Sequence, residues 1–178
     1  MPASNERSSA AAADQAREFV ITRLFDTSRE VVFEAWTECE HLMRWWGPKG
    51  FKMLSCKNDV RPGGEFLYGM RAPDGSEIWG KWTYREVDRP ERLVFIVSFA
   101  DPAGNVTRHP SSPGWPLEML STVTFEEEGE KTKITVRWAP FNATDAERKT
   151  FEEGMESMRQ GWGGTFDQFA GYLKEKRS

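Results

Sequence analysis

TDAERKTFEEGMESMRQGWGGTFDQFAGYLKEK, residues 144–176, is the stretch that sets the architecture. Placed at about 100° per residue with Trp162 at zero, Phe151, Met155, Met158, Thr165, Phe166, Phe169, Tyr172 and Leu173 gather roughly between −80° and +40°. Charged and amide side chains, Glu152, Glu153, Glu156, Gln160, Asp167 and Lys174 among them, take the other side. The spacing predicts one long amphipathic helix from Thr144 to Lys176, whose apolar stripe needs a concave cover. Thr144 and Glu147 stand at the separation of a capping box, which fixes the start. Gly154, Gly161, Gly163, Gly164 and Gly171 interrupt it, each costing up to about 1 kcal/mol relative to alanine. Gly154 and Gly161 share one edge of the stripe. Either a strand comes very close there, or space is left open beside the helix.

Upstream the chain offers strands to do the covering. Residues 17–25 alternate, with Phe19, Ile21 and Arg23 on one face. Asp26, Thr27 and Ser28 then open a short helix; Thr27 and Glu30 have capping-box spacing, and Val31, Val32, Ala35 and Trp36 form its apolar side. A second short helix, Cys39 to Trp46, ends at Gly47-Pro48. From Phe51 onward the period is two: residues 51–60, then Phe66, Tyr68 and Met70, then Ile78, Gly80, Trp82 and Tyr84, then Leu93, Phe95, Val97 and Phe99. A Pro-rich loop, Asp101 to Pro116, precedes a hairpin. In it Met119, Ser121, Val123 and Phe125 face Ile134, Val136 and Trp138 across the solvated turn Glu126–Glu130. Short connections make neighbours antiparallel. The expected fold is α+β: a curved antiparallel sheet of about seven strands, with two short helices after the first, gripping the long C-terminal helix.

Bulk properties narrow the function. A chain of 178 residues with net charge −4 fits one domain with a substantial core. We expect a tail over residues 1–16, disordered and without the apolar segment of a signal peptide, followed by a single domain over 17–178. Lys and Arg are scattered rather than striped, so no nucleic-acid partner is expected. No apolar run nears the ~20 residues that cross a bilayer, so no membrane insertion is expected. Cys39 and Cys56 lack metal-ligand spacing and read as two free thiols of a cytoplasmic protein. Eight Trp, twelve Phe and three Tyr are an unusual aromatic content, which serves either to fill a core or to line a pocket for apolar ligands; composition does not separate the two.

Six segments together resemble a known family: VVFEAWTECEHLMRWWGP (31–48), DVRPGGEF (59–66), MRAPDGSE (70–77), DRPERLVF (88–95), LSTVTFEEEGEKTKITVRW (120–138) and GWGGTFDQFAGYL (161–173). The chain resembles the SRPBCC (START-related) superfamily, and within it stand-alone proteins similar to the C-terminal domain of the heat-shock-protein-90 ATPase activator. That resemblance implies the helix-grip fold, with a cavity between sheet and long helix. It also implies an alternative role as a chaperone-related binding module. Two departures stand out. Ser28 replaces a frequent proline, and Trp82 stands in the Trp82-Thr83-Tyr84-Arg85-Glu86 run where relatives carry a small residue. An inward Trp82 would shrink or reshape the cavity.

The inward set nominates cavity-lining residues for a small apolar or amphipathic molecule: Trp36, Trp45, Phe66, Tyr68, Met70 and Trp82, then Tyr84, Phe95, Met119, Met158, Trp162 and Phe166. Each has a plain alternative as core. Trp45 and Trp46 point about 100° apart, so they cannot both enter one core in the same way, and one is free to close the mouth or meet a partner. His41 reads as a surface histidine or a structural cap. His109 and Trp115 sit in the long loop, as lid or as connector. No nucleophile motif, phosphate-cradling loop or metal-binding spacing occurs, so no cofactor and no metal is expected. A cyclase- or hydratase-like activity would need Glu86, Tyr68, Tyr84, Glu118 and Arg71 to converge. Assembly as monomer or homodimer is open, with 17–25 and 51–60 as candidate edges.

Overall fold

Period-two alternation builds the sheet. The computed structural model describes residues 18–177; the expected tail over 1–16, and the ends of the expected domain at Arg17 and Ser178, lie outside the described residues. The strands are β1 (Phe19–Phe25), β2 (Lys52–Asn58), β3 (Glu65–Arg71), β4 (Glu77–Asp88), β5 (Arg92–Ala100), β6 (Val106–Thr107), β7 (Glu118–Glu128) and β8 (Lys131–Phe141). They run antiparallel in the order β1-β8-β7-β5-β4-β3-β2, with the two-residue β6 on β5. The hairpin has the expected register, Ser121 opposite Trp138, Val123 opposite Val136 and Phe125 opposite Ile134. Irregularities between Met53 and Ser55 and between Tyr84 and Glu86 interrupt the ladders, and such bulges bend a strand and increase its twist.

Two short helices, α1 (Arg29–Thr37) and α2 (Cys39–Trp45), follow β1. The expected Thr27–Glu30 box does not form. The Thr27 carbonyl is taken by the Thr132 hydroxyl at 2.8 Å, and Ser28 becomes the cap, its Oγ accepting the Val31 N–H. The long helix is also not continuous: α3 (Asp145–Glu153) and α4 (Met155–Arg177) meet at Gly154. The Thr144–Glu147 box does start α3. A Cβ on Gly154 would lie 2.9 Å from the Trp115 ring, so a glycine at this junction lets the loop tryptophan pack directly against the helix.

The apolar stripe of α4 packs on the sheet and on α1 and α2. Phe25 meets Phe166 and Phe169 edge-on, with ring centroids 5.4 and 5.0 Å apart. Trp36 lies parallel to Trp162 at 6.0 Å. Arg23 reaches over the Phe166 ring and pairs with Asp167 at 2.7 Å, which explains a charged residue on the inner side of β1. Burial of such rings contributes about 1.5–3 kcal/mol each.

The reading of Cys39 and Cys56 as free thiols is corrected. Cys39 opens α2 and Cys56 lies in β2, and packing of that helix on that edge strand brings their Cα atoms to 5.7 Å, joined as a disulfide. Sequence spacing carried no sign of it, since the pairing is created by the turn of the chain at Gly47, which sits at φ +110. No helix among the described residues is long and apolar enough to cross a membrane.

Candidate functional site

Between the inner face of the sheet and α4 lies a cavity of about 510 Å³. Tyr68 and Met70 of β3, Ile78 and Trp79 of β4, and Val97, Ser98 and Phe99 of β5 form its sheet side. Met119 and Trp138 extend that side onto β7 and β8. Gly154, Ser157, Met158, Gly161, Trp162 and Thr165 present α4 to it. Gly47, Pro48 and Phe51 border it after α2, and the loop from His109 to Pro116 borders it opposite. Nothing lies within 4 Å of where a Cβ on Gly161 would stand. The two glycines on one edge of the stripe therefore have different reasons. Gly154 admits a ring; Gly161 leaves space.

The twelve nominated lining residues separate into two groups. Tyr68, Met70, Met119, Met158 and Trp162 border the cavity. Trp36, Trp45, Phe66, Trp82, Tyr84, Phe95 and Phe166 are packed into the core instead. Trp82 causes much of this division: it faces inward, stacks on Phe95 at 4.0 Å, and meets Phe66 and Trp46 edge-on. One half of the concave face is thereby filled solid with rings. Trp45 rests on Phe169 at 4.4 Å and donates its indole N–H to the Ala35 carbonyl. Its neighbour Trp46, turned 85° to it, borders the cavity. Trp162 serves both sides, stacked on Trp36 and bordering the open volume.

A family model described as Activator of Hsp90 ATPase homolog 1-like protein matches residues 26–174. The chain belongs to this family. Solved structures agree with the fold. A protein from Nitrosomonas europaea, 25% identical, superimposes with a TM-score of 0.71 over 90% of this chain and 96% of the other. A protein from Arthrobacter aurescens, 26% identical, gives 0.73 over 90% and 88%. A protein of the same family name from Silicibacter pomeroyi, 17% identical, gives 0.69 over 89% and 99%. Nothing matches among curated proteins.

The electrostatics of this cavity are marked by an absence of charge at its lining. Among the described residues no Lys, Arg, Asp or Glu borders it. Its titratable groups are Tyr68 and His109. Burial pushes the Tyr68 hydroxyl up to about 12, against the indole N–H groups of Trp46 and Trp82 beside it, which favour the phenolate. Burial lowers the pKa of His109. Its Nδ1 accepts the Ser111 N–H at 3.0 Å, so the ring proton sits on Nε2. Both groups are uncharged at neutral pH.

The expected acid/base set does not converge. Glu86 is exposed and paired with Arg92 at 3.0 Å, Arg71 is exposed, and Glu118 lies outside the cavity lining. Tyr84 donates to the Asn58 side chain at 2.8 Å, away from the cavity, and burial raises its pKa. His41 is buried rather than superficial, with Nδ1 2.6 Å from the Tyr172 hydroxyl and Nε2 3.3 Å from Glu38. Glu34, Glu38 and His41 do bring ligand-type atoms within 4.8 Å of one another, a proximity that sequence spacing across two helices concealed. The His41 nitrogens are engaged by Tyr172 and Glu38.

Proposed function

We propose that this protein binds a small apolar or amphipathic molecule in the cavity between sheet and long helix. One observation carries the reading: about 510 Å³ of uncharged space is left beside a helix whose Gly161 makes no use of it. That volume falls within the range of small-molecule sites, roughly 300–1,000 Å³. Aromatic rings and the thioethers of Met70, Met119 and Met158 line it, and thioethers adapt to irregular apolar shapes. Binding would derive mainly from apolar burial, at about 25 cal/mol per Å². Native mass spectrometry of gently purified protein tests this, together with melting in the presence of candidate molecules. A bound mass, or a rise in melting temperature that saturates with concentration, supports it. The absence of both across apolar compounds of varied shape would sink it.

The family description favours a second reading, a chaperone-related module acting through its surface. Stimulation of the chaperone's ATPase by the purified protein tests it, and no effect at tens of micromolar removes it.

A further inference from the structure

A second group of chemistry-bearing side chains lies where α1 turns into α2, outside the cavity. Glu34 stands in the last turn of α1, Glu38 at its C-cap and His41 in the first turn of α2. Each contributes one ligand-type atom, and these atoms lie within 4.8 Å of one another. The backbone holds the three in place. The Glu38 N–H donates to the Glu34 carbonyl at 2.9 Å, and the His41 N–H to the Glu38 carbonyl at 3.0 Å. Beside them Cys39 is bonded to Cys56 of β2, and the Asn58 side chain donates to the Thr37 carbonyl at 2.6 Å. A corner fixed in this way presents its side chains from a rigid frame, as a binding site requires.

Charge and geometry both call for a cation there. Among the described residues neither Glu34 nor Glu38 pairs with a Lys or Arg, and the basic group beside them is His41, whose Nε2 lies 3.3 Å from Glu38. Like charges four residues apart on helical backbone repel. A charge-assisted N–H···O bond is shorter than this contact, at roughly 2.7–2.9 Å. Two ligands about 2.0–2.1 Å from a tetrahedral zinc ion stand about 3.3–3.4 Å apart, the separation found. On the other side of the ring, His41 Nδ1 is 2.6 Å from the Tyr172 hydroxyl of α4. With its proton on Nδ1, the imidazole donates to the phenol oxygen and turns the Nε2 lone pair toward the carboxylates, the arrangement of a metal-bound histidine. One imidazole with two carboxylates suits zinc better than magnesium or calcium, which favour oxygen ligands alone. We propose that Glu34, Glu38 and His41 Nε2 bind one zinc-type divalent ion at the α1–α2 corner, with Tyr172 orienting the imidazole from α4. Three protein ligands leave a fourth position for water.

Zinc titration of tag-free, disulfide-intact protein tests it, by calorimetry and by equilibrium dialysis. The chain contains two histidines and no free thiol, so few groups other than His41 compete for the ion. One zinc per chain should bind saturably and raise the melting temperature with concentration. Magnesium and calcium at the same concentrations should do neither. His41→Gln should abolish the binding, Glu38→Gln should weaken it at least about tenfold, and His109→Gln should leave it intact. Tyr172→Phe should keep the stoichiometry and weaken the affinity about tenfold. Zinc that fails to bind saturably overturns the inference, as does binding that either His41→Gln or Glu38→Gln leaves unchanged, or that His109→Gln removes. Magnesium or calcium binding as tightly as zinc overturns it too. An unchanged affinity in Tyr172→Phe overturns the part given to that residue. Glu38 is exposed, so Glu38→Gln decides the matter should the variant at the buried His41 fold poorly. The cavity reading stands or falls separately, since none of the three ligands borders the cavity.

Discussion

Gly154 and Gly161 are seven residues apart on one helical edge and should respond oppositely to the same change. Gly154→Ala drives a methyl against the Trp115 ring; stability is expected to fall by about 1–3 kcal/mol, as in other overpacked sites. Gly161→Ala meets only open space and should gain up to about 1 kcal/mol from helix propensity. Gly161→Leu goes further: it keeps the fold and fills part of the cavity, so binding of apolar probes should drop while the melting temperature holds. Urea unfolding with a parallel binding titration checks all three, and a Gly161→Leu protein that binds unchanged would contradict the placement of the ligand. Trp162→Ala is expected to cost roughly 3–5 kcal/mol, since the ring touches Trp36, Trp46, Trp138 and Phe166. Alternation in the sequence showed which side chains face inward. It did not show which inward rings meet one another: Phe66, Trp82 and Phe95 share a face with Tyr68 and Met70, and only the three-dimensional stacking of Trp82 on Phe95 closes that half.

The loop from Asp101 to Pro116 is a strap with named fastenings. Trp115 seats on Phe151 and in the Gly154 notch, Arg108 pairs with Glu147 of α3, and His109 lies on the Phe99 ring at 4.7 Å. Two of these fastenings titrate. The Thr144 backbone N–H, and after it Arg108, hold the Glu147 carboxyl below its usual range. Its contribution is therefore present above that range and is lost as pH falls through the lowered value. Burial lowers the pKa of His109; protonating it opposes the folded loop, so its contribution holds above about 6.5 and declines below. Hydrogen exchange over residues 101–116 should accordingly speed up, beyond the intrinsic pH effect, on going from pH 7.5 to 5.5. His109→Gln should flatten that step. Thr144→Ala, which removes the cap of α3, should cost about 1 kcal/mol and loosen the same loop. Equal protection at both pH values would argue that the loop is held by Trp115 alone. Strand alternation and the capping box made the elements of this region readable in the sequence. The division of the long helix at Gly154 was not, and neither was the packing of Trp115 from a distant loop against that junction.

The molecule is organised so that a solid half supports an open half, and the disulfide belongs to the support. β2 is an edge of the sheet, with β3 as its strand partner. The bond from Cys56 to Cys39 ties that edge to α2, whose Trp45 and following Trp46 form the boundary between packed rings and cavity. Closing a segment with a separation of 17 residues removes unfolded-state freedom worth about 3 kcal/mol in the chain-entropy description. For a chain of this length that corresponds to roughly 6–12 °C in melting temperature. Protein melted with and without reductant should differ by that order. A Cys39→Ser, Cys56→Ser double variant should match the reduced protein and be indifferent to reductant. Because the tie anchors Trp46, reduction should also weaken ligand binding beyond what the lower stability alone produces at a temperature well under both transitions. Titration of the unfolded, non-reduced protein with a thiol reagent decides the premise: two reactive thiols would return the pair to the free state that the sequence suggested. Their absence would make an oxidised α2–β2 clamp part of how the cavity keeps its shape.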